Sequence, residues 1–83
     1  MRVRYFAWVR ERVGQAEEEI DLPPGIMSVA DLIQYLAQKD EGYAAAFSEP
    51  TAIRVAINQE HVEHDTPLNG AREIAFFPPM TGG

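Results

Sequence analysis

At 83 residues the chain is one domain, with 46% apolar and 24% charged residues, the balance of a soluble globular protein. Its formal charge of −6 and pI near 4.7 argue against nucleic-acid binding, which needs a basic face, and fit a partner with a positive surface. Cysteine is absent, which excludes disulfides, thiolate metal sites and any side-chain thiol as nucleophile or sulfur carrier.

Residues 2–8 alternate in period two, with Val3, Tyr5 and Ala7 on one face and Arg2, Arg4, Phe6 and Trp8 on the other. They predict a first strand, and the arginines break any signal-peptide pattern. Val9 to Val13 reads as a short helical turn closed by Gly14. Glu17 to Leu22 predicts a second strand, with Glu17, Glu19 and Asp21 on an exposed face and Glu17-Glu18-Glu19 as a solvated edge. Pro23-Pro24-Gly25 ends it.

The spacing of Val29, Leu32, Ile33 and Leu36 predicts a helix from about Val29 to Lys39 with one buried stripe. Ser28 is its N-cap, Asp31 completes a capping-box spacing, and Met27 and Leu32 stand where a hydrophobic staple would form. A short helix is expected around Tyr43 to Phe47. Ile53, Val55 and Ile57 point inward from a third strand, Asn58-Gln59-Glu60 turns, and His61 to Glu63 is a short fourth strand. Leu68 in the Pro67–Gly70 turn plugs the core. Glu73 to Phe77 closes the sheet, with Ile74 and Phe76 inward and Phe77 outward. His61 and His64 are aimed at opposite faces if a strand carries both, so no metal site is expected.

This order predicts an α+β domain with a mixed sheet of about five strands covering one main helix. It is the order of the β-grasp fold, in which the first and last strands lie side by side and parallel. Residues 1–77 are read as that domain and residues 78–83 as a flexible tail. No stretch of about 18 apolar residues exists to span a membrane, and a cytoplasmic location is expected.

The tail carries the chemistry. Pro78-Pro79 biases its stem to an extended, semi-rigid form, and Gly82-Gly83 has no Cβ to obstruct entry into a narrow channel. The six residues beyond Phe77 reach at most about 20 Å at ~3.3 Å each. Neither glycine has a side chain that could act as acid, base or nucleophile, so the reactive group is the Gly83 carboxylate. Adenylation would give that carbon a good leaving group, and a sulfur nucleophile could then displace AMP to leave a thiocarboxylate.

Three segments carry a resemblance. Phe6-Ala7-Trp8-Val9-Arg10-Glu11-Arg12-Val13-Gly14 is similar to an FA-x-x-RE-x-x-G opening, Val55-Ala56-Ile57-Asn58-Gln59 to a VAVNQ segment, and Ala75-Phe76-Phe77-Pro78-Pro79-Met80-Thr81-Gly82-Gly83 to an AFFPP-x-x-GG close. Together they resemble the small subunits of molybdopterin synthase, which are ubiquitin-like sulfur carriers. The resemblance implies that an E1-like adenylyltransferase uses ATP to activate Gly83 and that a sulfurtransferase converts it to the thiocarboxylate. It implies that Thr81 and Gly82 line a channel in the large synthase subunit, where Gly83 gives its sulfur to cyclic pyranopterin monophosphate. Two small and two large subunits would form the assembly. On this likeness the chain binds no cofactor and contributes no general acid or base: it is a donor subunit of a sulfurtransferase. Phe6, Arg10, His61, Phe77, Pro78 and Pro79 fall at docking positions, His61 at one that is apolar in some relatives. Carriers for thiazole, tRNA thiolation or cysteine synthesis, and ubiquitin-like protein modifiers, share the fold and the Gly-Gly end.

Overall fold

A computed structural model describes residues 1–79. In chain order its elements are β1 (Arg2–Tyr5), α1 (Ala7–Val13), β2 (Glu17–Glu19), α2 (Val29–Ala37), α3 (Glu41–Ala46), a 3₁₀ turn (Pro50–Ala52), β3 (Arg54–Ile57), β4 (Glu60–Val62) and β5 (Glu73–Phe77). The five strands form one mixed sheet in the order β2-β1-β5-β3-β4. β1 and β5 are parallel neighbours at its centre, and the other pairs are antiparallel.

The core lies between one face of this sheet and the helices. Val3, Tyr5, Val55, Ile74 and Phe76 meet Val29, Leu32, Ile33 and Leu36 of α2, all almost fully buried. Burying each such side chain is worth about 1.5–3 kcal/mol before the entropy of ordering it is subtracted. Leu68 plugs the core from its turn as expected.

The capping box of α2 is complete: the Asp31 amide donates to the Ser28 hydroxyl, and the Ser28 and Met27 amides donate to the Asp31 carboxylate at 3.1 and 3.0 Å. Those two amide donors hold the Asp31 carboxyl below its usual range. The hydrophobic staple does not form, because Met27 is 72% exposed and Leu32 fully buried. The helix ends at Ala37, two residues before the expected Lys39.

The first strand is shorter than its alternation suggests. It stops at Tyr5, Phe6 becomes the N-cap of α1, and Ala7 sits in the left-handed region at φ 52°. That conformation costs a non-glycine residue about 1 kcal/mol and turns strand into helix within one residue. Phe6 and Trp8 are therefore not strand residues, and the helix begins two residues before Val9. Gly14, at φ 92°, closes it by donating its amide to the Arg10 carbonyl.

β2 likewise ends at Glu19 rather than Leu22. Glu18 does not belong to a solvated edge. It lies on the core side, where one carboxylate oxygen accepts the Tyr5 and Tyr43 hydroxyls at 2.7 and 2.5 Å and the other faces the Lys39 ammonium at 3.3 Å. Burial opposes its charge, but the bonds from Tyr43, Tyr5 and Lys39 outweigh that and keep its carboxyl below the usual range. Burial and the bond to Glu18 push the Tyr5 hydroxyl well above the ordinary tyrosine value.

Candidate functional site

The strand that leads into the tail is held from both sides. β5 pairs with β1 through Arg2–Glu73 to Tyr5–Phe76, and with β3 through Ile57–Ile74 to Arg54–Phe77. Its register is also set from the β3–β4 hairpin. Asn58 and Gln59, at φ 49° and 72°, make the tight turn. The Asn58 side-chain oxygen then accepts the Arg72 and Glu73 amides at 2.9 and 3.1 Å.

Strand alternation sends the two phenylalanines of β5 to opposite sides. Phe76 is fully buried, stacked on Tyr5 at 6.3 Å and meeting Phe47 edge-on at 5.1 Å. Its carbonyl accepts the Phe6 amide at 3.1 Å, so the end of β5 is tied to the start of α1. Phe77 faces outward, half-buried, with the His61 ring 5.2 Å away.

Register completes the outward face. One row across the sheet runs Glu17, Arg4, Ala75, Ala56, His61. In the next row Phe77 stands opposite Arg54, and Phe6 follows directly after the Tyr5–Phe76 pair. Two alanines thus form a low floor between Arg4 on one side and His61 on the other, with Phe77 at the tail end. Phe6 is 40% exposed, and the Arg4 guanidinium lies 5.1 Å from its ring centroid, within cation–π range. Arg10 is exposed on α1, its amide bonded to the Phe6 carbonyl at 3.3 Å.

Phe6, His61 and Phe77 therefore come together on one face at the root of the tail, with Pro78 half-buried and Pro79 exposed beyond them. Thr81, Gly82 and Gly83 lie outside the described residues. Arg4 and Arg54 belong to the same face and were missed. Alternation puts both side chains outward, but only the β1–β5 and β3–β5 pairings reveal that they border Phe6 and Phe77. His64 lies past the end of β4, so strand alternation does not govern it, and its Nε2 is 2.9 Å from the Ile53 carbonyl. Among the described residues no group of three or more His, Asp or Glu side chains is placed to hold a metal ion. No helix among them is long and apolar enough to cross a membrane.

Residues 3–83 match the ThiS family. The chain belongs to that family. It is 40% identical to the molybdopterin synthase sulfur carrier subunit of Escherichia coli K12, over 100% of this chain and 99% of that one. With the Haemophilus influenzae protein of the same name it shares 36% identity over 100% of this chain and 99% of the other. Among solved structures, SAMP1 from Haloferax volcanii matches with a TM-score of 0.71 at 25% identity, covering 100% of this chain and 98% of that one. The α+β, ubiquitin-like β-grasp architecture expected from the order of elements is the fold of this ThiS-family chain.

Proposed function

We propose that this chain is the sulfur carrier subunit of a molybdopterin synthase in the cytoplasm, with Gly83 as the reacting residue. The observation that carries the reading is a likeness to carriers of that name along the whole chain, Gly-Gly included. Support comes also from a central strand clamped on both sides, which offers the tail a firm base beside an aromatic face.

The chemistry is acyl activation followed by sulfur transfer. A Gly83 carboxylate oxygen attacks the α-phosphorus of ATP on an E1-like enzyme, and pyrophosphate leaves. A sulfide-level nucleophile delivered by a sulfurtransferase adds to the acyl carbon, and AMP leaves. Thr81 and Gly82 then thread the thiocarboxylate into the large subunit, in a two-plus-two assembly. Its sulfur displaces an oxygen from a carbon of cyclic pyranopterin monophosphate, the C–O bond breaking as the C–S bond forms. Water then cleaves the acyl C–S bond to leave the sulfur on the pterin and return the carboxylate. Phe6, Arg10, His61, Phe77, Pro78 and Pro79 hold the body against the partner meanwhile. This chain supplies reach and docking, and the enzymes it visits supply acids, bases and ATP.

The test is mass spectrometry after incubation with ATP, an E1-like enzyme and a sulfur donor. The expected result is replacement of one oxygen by sulfur on Gly83, and none in a chain lacking Gly82-Gly83. Molybdoenzyme activity that survives this deletion in cells would overturn the reading. Capture of a thiazole synthase in place of a pterin synthase large subunit, or isopeptide adducts in place of thiocarboxylate, would move the chain to a sister role.

A further inference from the structure

The outward face of the sheet is charged oppositely to the chain as a whole near the tail. Its strand carboxylates, Glu17, Glu19 and Glu73, sit on the β2 edge and at the far end of β5, where Arg2 pairs with Glu17 and Glu19, and Glu63, just past β4, is the acid at the tail end. Arg4 reaches Glu73 only at 3.9 Å. At the tail end stands Arg54, exposed and directly across from Phe77. Although the chain has 13 carboxylate side chains, none among the described residues comes within 4.0 Å of the Arg54 guanidinium. Beside Arg54 opens a shallow groove of about 480 Å³, lined also by Thr51, His61, Glu63 and His64. Since a carbonyl can only accept, His64 donates its Nε2 hydrogen to Ile53. Glu63 is the one acid in the groove, against one guanidinium and two imidazoles.

A chain of net charge −6 whose described residues set no carboxylate against the guanidinium beside its aromatic docking face holds a cation there for something else. We propose that Arg54 selects the docking partner, by pairing with a carboxylate that the partner protein sets beside the apolar socket taking Phe77. This rests on the reading that the Phe77 face is where the synthase large subunit docks. At 0.1 M salt the field of a charge decays over about 10 Å, whereas the molecule measures 36 × 27 × 20 Å. The approaching surface therefore feels the local arginine more than the net charge. The partner's surface is accordingly of two kinds: basic where it receives the anionic tail, and acidic where it covers Arg54. Such complementarity at the edge of an apolar contact fixes register and rejects wrong partners, with a smaller effect on total affinity.

The experiment is calorimetric titration of the large subunit with the wild-type chain, Arg54→Ala, Arg54→Glu and Phe77→Ala, in low and high salt, each variant first matched to wild type in thermal midpoint. Expected in low salt is about tenfold weaker binding for Arg54→Ala and about a hundredfold for Arg54→Glu, with both gaps closing in high salt. Arg54→Glu binding within about twofold of wild type, or more tightly, overturns the proposal. If Phe77→Ala alone loses affinity, docking on this face stands and the carboxylate pairing is wrong. If Phe77→Ala also binds like wild type, the docking reading itself fails.

Discussion

Replacing Glu18 with glutamine removes a negative charge from the point where β1, β2, α3 and the end of α2 are tied together. The Glu18 side chain is 15% exposed and accepts two tyrosine hydroxyls and the only lysine. Gln15 extends the network by donating to the Tyr43 hydroxyl at 2.7 Å. Hydrogen bonds to a charged group are worth about 1.5–3 kcal/mol each. Glutamine keeps one carbonyl acceptor, and the Lys39 contact is exposed enough to count for at most about 1 kcal/mol. A net loss of about 2–3 kcal/mol follows. For a domain of this size that lowers the thermal midpoint by roughly 10–20 °C. The pH dependence has a definite sign. Because the folded carboxyl titrates below its ordinary value of 4.5, its contribution is complete above that value and is lost as pH falls through the folded one. Circular-dichroism melts of the two proteins from neutral to acid pH should show a wide gap that narrows in acid. A midpoint within about 2 °C of wild type at neutral pH, or a gap that does not narrow, would refute this account of Glu18.

The alkaline side follows from Tyr5. Its hydroxyl stays protonated in the folded state, through burial and then the Glu18 bond, so stability is full below the unfolded tyrosine value of 10.0 and falls as pH climbs above it. Tyr5→Phe melts should lessen that decline, the rest coming from Tyr43, whose hydroxyl is also raised by burial and the Glu18 bond. Gly42→Ala should destabilise by about 1–3 kcal/mol, despite alanine's better helix propensity, because a Cβ there would stand 2.5 Å from the Arg12 carbonyl oxygen; a raised melting point would contradict it. Ser28→Ala removes the cap hydroxyl of α2 and should cost about 1 kcal/mol, or roughly 4–8 °C in a melt. Phe77→Ala should weaken large-subunit binding at least about tenfold with little change in thermal midpoint, and a large loss of stability would put that ring in the core instead.

Much of this fold is legible because its signals are local. The α2 stripe and capping box need only residues a turn apart, and inward Ile74 and Phe76 need only alternation. The errors arise where a distant part of the chain decides. Nothing near Glu18 announces that Tyr43, 25 positions later, will share its oxygen, so an acidic run reads as a wet edge. The first strand alternates as far as Trp8, yet Phe6 gives its amide to Phe76 and the chain turns there. Arg54 shows the same limit at the site. Its outward direction is local information, whereas its place opposite Phe77 depends on the β3–β5 register.

The central position of β5 explains how a small domain can deliver a long tail. A strand bonded on both flanks cannot peel from the sheet unless both ladders break, so a pull on the tail reaches the whole core through Phe76 and its contacts with Tyr5 and Phe47. An edge strand such as β2 or β4 would give way at one ladder. The next residue, Phe77, faces outward, on the side proposed to meet the partner, so the anchor to the core and the proposed anchor to the outside are adjacent in sequence. On the proposed docking, that face fixes where residues 78–83 start, and the search left to Gly83 is confined to the reach of six residues, about 20 Å at full extension. Tethering on that scale raises effective concentration to the millimolar range without any contact from the tail itself. On that proposal the reacting end can be bare glycine, because positioning falls to the side chains behind it.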